Sequence, residues 1–194
     1  RRDLAGEAAA DRVRKEALRR LAATSLGEVE AVMVSGATGE GMDDLRAALE
    51  RLGKSLPGPD RDADVRLWVD RVFTVRGRGT VVTGTLGSGT IRVGDRLDAG
   101  GRTVRVRGLQ SLKEEHDEVG AVARVAVNVH GDTAEIGRGE ALLTPGRWLT
   151  TAVADVRLRG DPARELPREL VLHVGSAAVA AHVRPLGGDT ARLS

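Results

Sequence analysis

The sequence predicts a mainly β chain with an α/β segment at its front. Residues 7–54 place apolar side chains three and four apart, the period of a helix. From residue 65 onward, short β-rich runs alternate with Gly turns at intervals of roughly 8–12 residues, as in a barrel or sandwich. Between the two, residues 55–64 (SLPGPDRDAD) form a proline- and charge-rich linker.

The elements follow in order. Over residues 7–23, Ala10, Val13, Ala17, Leu18 and Leu21 share one helical face, with Arg and Glu opposite. Ala31-Val32-Met33-Val34-Ser35 reads as a short apolar strand entering the loop Gly36-Ala37-Thr38-Gly39-Glu40-Gly41. A second helix carries Met42, Leu45, Leu49 and Leu52 on one face, with Asp43 and Asp44 at its positive N-terminal end. Alone, this segment is too small to bury a sufficient core. In the next segment, Arg76-Gly77-Arg78-Gly79 makes the turn between two β-branched strands, and Gly87-Ser88-Gly89 makes the following one. Val125, Val127 and Val129 alternate with Arg124, Ala126 and Asn128, which gives one apolar and one polar face. A further boundary lies near Thr144-Pro145-Gly146. Residues 151–159, 170–174 and 178–184 then read as three strands, too few for a closed barrel. The predicted organisation is thus 1–54, a linker at 55–64, a barrel over 65–147, and part of a second barrel over 148–194.

Composition narrows the chemistry. At 41% hydrophobic and 30% charged the chain suits a globular fold with a core. No apolar run approaches the ~18 residues of a membrane span, and no secretory leader is visible. Absence of cysteine excludes disulfides, thiolate metal sites and cysteine nucleophiles. His116, His130, His173 and His182 lack metal-ligand spacing, so neither a metal site nor a catalytic residue is assigned. There are 27 arginines against three lysines, with a net charge of +2. This permits a nucleic-acid partner without requiring one. The first residue is not methionine, and the expectation is a piece of a longer protein.

Residues 67–95, LWVDRVFTVRGRGTVVTGTLGSGTIRVGD, carry the resemblance. RGRGTVVTG followed by GxxxVGD resembles the second domain of EF-Tu-class translation factors. Residues 106–110, 120–131 and 136–140 are similar to later strands of that barrel. HVGSAAVAAHVRPL (173–186) and the pair Asp70-Arg71 resemble one branch, the selenocysteine-specific elongation factors (SelB). The front of the chain resembles the end of the family's P-loop GTPase domain. Arg1-Arg2-Asp3 is similar to the tail of the NKxD guanine motif, with Arg1 where Lys is usual, and Ser35-Gly36-Ala37 to the SAx motif. The resemblance implies that Asp3 accepts the two guanine N–H donors while the loop amides meet guanine O6. Two look-alikes are set aside. Gly53-Lys54-Ser55 lacks the first Gly of a phosphate loop and ends a helix. Asp98-Ala99-Gly100-Gly101 sits in a barrel turn, not at a magnesium site. With no phosphate loop or switch in this sequence, the chain alone is expected to be inactive and to hold no cofactor; GTP and Mg²⁺ belong to the full-length protein.

The resemblance also implies a pocket for the aminoacyl end of a tRNA, lined by Asp70, Arg71, Phe73, Thr83 and Arg124. Where EF-Tu has a second acid and an amide, this chain has Arg71 and Arg124. A selenol is a far stronger acid than a thiol, whose pKa is about 8.5, so a selenocysteinyl group is an anion at neutral pH. Two guanidiniums bring directed donors to it, and Asp70 can hold one in place. Arg76 and Arg78 are expected to meet tRNA phosphates. The implied partners are selenocysteinyl-tRNA, the ribosome and, through C-terminal domains not in this sequence, an mRNA hairpin, all in the cytoplasm and without a membrane. The alternatives are EF-Tu itself, the GTPase subunit of a sulfate-activating enzyme, or a barrel serving only as a protein-interaction module.

Overall fold

The computed structural model describes residues 2–194. Arg1, matched above to the guanine motif, lies outside the described residues. A 3-10 turn at Arg2–Leu4 precedes α1 (Glu7–Ala22) and α2 (Met42–Ser55). In α1, Ala10, Leu18 and Leu21 are half-buried as expected, but Val13 and Ala17 face solvent. Asp11 and Arg14 are half-buried, joined at 2.8 Å. No residue of α1 is buried. Leu49 and Leu52 of α2 are likewise exposed. The strand expected at 31–35 does not form. Strand backbone needs a neighbour to bond, and no described strand lies beside it. Gly53-Lys54-Ser55 closes α2 as a helix end.

The β region follows as β1 (Arg66–Val75), β2 (Gly79–Ser88), β3 (Thr90–Arg92), β4 (Arg96–Ala99), β5 (Arg102–Ser111), β6 (Glu114–His116), β7 (Glu118–Gly120), β8 (Ala123–Gly131) and β9 (Ala141–Leu143). The order β4-β9-β1-β2-β8-β5 closes on itself through β4–β5 pairing, all antiparallel. Closure removes the free edges that an open sheet would expose. β6 extends the far end of β5, and β3 pairs β7 as a ribbon. Leu67, Val69, Val82, Leu86, Leu97, Val104, Val106, Val125, Val127 and Leu142 point inward and are almost fully buried. The period of two therefore sends Trp68, Asp70, Thr83, Arg124, Ala126 and Asn128 to the outer surface.

Part of the expected linker is docked. Asp60 carbonyl oxygen accepts the Gly89 N–H at 3.0 Å, Arg61 carbonyl oxygen accepts the Thr90 hydroxyl at 2.8 Å, and Asp64 carbonyl oxygen accepts the Ser88 hydroxyl at 2.8 Å. Thr144 and Trp148 bind the backbone of Val65 from the other side, and Arg66 lies 4.6 Å above the Trp148 ring.

Beyond them, β10 (Ala154–Arg157), β11 (Glu169–Val174), β12 (Ala177–Pro185) and β13 (Thr190–Leu193) form an open sheet in the order β10-β13-β12-β11. It has its own small core around Ala163, Ala181, Val183, Ala191 and Leu193. The fourth strand, β13, went unforeseen. It is only four residues long, and its signal was the Gly187-Gly188-Asp189 turn before it.

Candidate functional site

The outer face of β1, β2 and β8 gathers the expected pocket residues, and a β-bulge makes this possible. Val69 pairs with Gly84 and Arg71 with Thr83, so Asp70 is an extra residue without a partner on β2. Before the bulge the odd residues Leu67 and Val69 face the core; after it Val72 does. Asp70 and Arg71 therefore share the outer face, although they are consecutive.

The Asp70 carboxylate accepts the Thr83 hydroxyl at 3.0 Å, Arg124 Nη2–H at 2.9 Å, and Arg124 Nη1–H through its other oxygen. This fork-to-fork pairing fixes the guanidinium plane. It also holds the Asp70 carboxyl below its ordinary value: the Arg124 bond is the main cause, opposed by burial and aided by Thr83 and the charge of Arg71. The same bond raises the Arg124 pKa. One carboxylate against two guanidiniums leaves a single positive charge unbalanced. The sequence reading expected Asp70 to hold one of the two arginines, and the structure shows that it is Arg124.

Arg124→Ala should move the Asp70 titration upward toward 3.8, read by carbon NMR of the carboxyl. An unchanged midpoint would show that the pair does not persist in solution. Because the folded-state pKa is lowered, Asp70 adds stability above its unfolded pKa and loses it as pH falls through the folded value. The variant should lose that acid-side dependence. The effect is small, since the Arg124 side chain is 55% exposed and solvent screens the pair.

A groove of about 810 Å³ adjoins the cluster, lined by Phe73, Val81, Gln110, Ala126 and Asn128 among others. Phe73 pairs with Val81, and Val81 with Asn128. That row lies one two-residue step, about 7 Å, from the row of Arg71, Thr83 and Ala126. Charged cluster and groove are thus continuous. Asn128 Oδ1 is buried against the groove without a partner. The sequence reading noted Asn128 only as a polar alternate. The period that places Arg124 outside places Asn128 there too. Arg78 lines the groove and pairs with Glu115 at 3.0 Å, whereas Arg76 is exposed on the turn.

The expected guanine residues also meet. Ser35 is fully buried and donates its hydroxyl to Asp3 Oδ1 at 2.8 Å, across 32 residues of sequence. Gly36 and Ala37 are exposed on the loop that Ser35 anchors through Gly39 and Glu40. A carboxylate beside an exposed loop can accept the N–H donors of a base, while the Thr38 and Gly39 N–H groups of that loop turn back onto Ser35. Asp98 Oδ1 accepts the Gly101 N–H at 3.0 Å, a turn contact, and no cluster of metal-ligating side chains exists among the described residues. No described helix is long and apolar enough to cross a membrane.

No family model matches the chain. Sequence comparison aligns 98% of it, at 31% identity, with the selenocysteine-specific elongation factor of Escherichia coli K12. A second such factor, from Desulfomicrobium baculatum, is 39% identical over 75% of the chain. The chain is homologous to a segment of the selenocysteine-specific elongation factors. It spans 24% of the Desulfomicrobium relative and 31% of the Escherichia one. The crystal structure of a bacterial selenocysteine-specific elongation factor, EF-Sec, superposes on 98% of the chain with a TM-score of 0.87. At 24% identity that likeness shows the fold, and it covers 33% of the solved chain.

Proposed function

We propose that this chain reads the amino acid carried by a tRNA, as part of a selenocysteine-specific elongation factor that delivers selenocysteinyl-tRNA to the ribosome in the cytoplasm. The carrying observation is the Asp70-held Arg124 with Arg71 on the same face, opening onto the neighbouring groove. In this reading the selenolate meets the remaining N–H groups of Arg124 and the head of Arg71, and the terminal nucleoside occupies the groove. Phe73 and Val81 supply its apolar floor and Asn128 an unmatched acceptor. A seryl group is neutral and leaves the guanidinium donors without an anion, a difference of about 1–3 kcal/mol.

GTP is the cofactor of the whole factor in this proposal. Asp3, Ser35 and the loop after it would hold the guanine base, and residues of the wider GTPase domain would hold the phosphates and Mg²⁺. An mRNA hairpin, bound by further domains, completes the set of partners. The test is protection of the aminoacyl ester from hydrolysis by the GTP-loaded factor. Selenocysteinyl-tRNA should be protected at roughly tenfold to hundredfold lower factor concentration than seryl-tRNA. Equal protection would overturn the assignment and leave an ordinary elongation-factor barrel.

A further inference from the structure

The last sheet touches the barrel beside the bulge that presents Asp70. Val69, the residue before the bulge, is fully buried, and its N–H donates to the Glu140 carbonyl at 2.9 Å. Its carbonyl accepts two donors, the Gly139 N–H at 3.1 Å and the Ser176 hydroxyl at 2.6 Å. Ser176 belongs to the tip of the β11–β12 hairpin, 107 residues further along the chain. The neighbouring Gly175 lies against the Trp68 ring so closely that a Cβ would sit 2.2 Å from Trp68 Cδ2. Its φ of +56° is a second reason for glycine there. Ala177 closes on Gly139, where an added Cβ would meet its Cα at 3.3 Å.

From this contact we infer that the hairpin tip Gly175-Ser176 is a positioning device for the amino-acid-reading cluster. It pins the peptide from which Asp70 springs, and Asp70 in turn sets the plane of the Arg124 guanidinium. A bulged residue has no backbone register partner on β2, so the setting of its main chain depends on the peptide just before it, while Thr83 and Arg124 hold only its side chain. The tip grips that backbone from outside the barrel. Movement of the last sheet relative to the barrel would thereby loosen amino-acid discrimination without touching either arginine. Ser176 touches no proposed ligand; it acts through Val69 and Asp70.

This inference rests on the reading proposed above, and its test separates the two. In a full-length factor carrying this chain, the readout is the ratio of affinities for selenocysteinyl- and seryl-tRNA, with thermal melting followed alongside. Ser176→Ala should lower the ratio roughly three- to thirtyfold. Ser176→Thr, which keeps the hydroxyl, should restore it. Gly175→Ala, which pushes the tip off Trp68, should lower it as Ser176→Ala does. Arg124→Ala is the reference. If it abolishes discrimination while Ser176→Ala leaves the ratio unchanged, the positioning role is wrong and the pocket stands. If Ser176→Ala weakens both tRNAs equally, the contact only holds the sheets together and the inference fails. If Arg124→Ala itself leaves the ratio intact, the pocket falls and the inference with it.

Discussion

Replacing Arg124 with alanine in the full-length factor is expected to reduce affinity for selenocysteinyl-tRNA about tenfold to a hundredfold while seryl-tRNA binding changes little. The magnitude is that of one hydrogen bond to a charged group, about 1.5–3 kcal/mol. Two effects act in the same direction. The selenolate loses the directed donors of Arg124, and the cluster loses its one unbalanced positive charge, since Asp70 then offsets Arg71. Arg124→Lys should fall between the two, because it keeps the charge but not the planar fork that matches both oxygens of Asp70. Binding of the two aminoacyl-tRNAs at several salt concentrations decides the matter. An equal loss for both, steep in salt, would make Arg124 a phosphate contact with no part in selection.

Gly84→Ala is expected to be the most damaging small substitution in the barrel. Gly84 lies opposite Val69 at the bulge, and a Cβ there would stand 2.0 Å from the Trp68 carbonyl oxygen and 2.7 Å from Leu67 Cδ2. The first of these is backbone and cannot swing aside. Relief requires β1 and β2 to part where the bulge and the core residues Leu67 and Val69 meet. Overpacking of this kind costs about 3 kcal/mol or more. For a domain of this size that lowers Tm by roughly 10–20 °C. Gly87→Ala is the control. It lies on the same strand with only the Arg66 carbonyl oxygen at 3.8 Å, and should be close to neutral. Calorimetry showing equal melting for the two variants would mean that β1 and β2 are not packed as described.

Much of this was legible before any coordinates. The alternation of Val125, Val127 and Val129 with Arg124, Ala126 and Asn128 assigned inner and outer faces correctly, because a strand's period leaves no other choice. Where the reading failed, it lacked knowledge of neighbours. Val13 and Leu49 were placed on apolar faces by spacing, yet both are exposed, since spacing shows which residues share a side and not what covers that side. Residues 31–35 had the composition of a strand and no described partner to make them one.

By itself, the sequence determined the antiparallel β character, the principal turns, the outward position of Arg124 and the family likeness, all properties of short-range pattern or of motif. Only the tertiary structure decided that Asp70 clasps Arg124 and not Arg71, that 55–64 docks on the barrel in part, and that Ser176 reaches Val69. Each depends on which distant groups come within about 3 Å of one another. The inserted residue at the bulge and closure of the ring set those distances, and neither leaves a periodic signal in the chain.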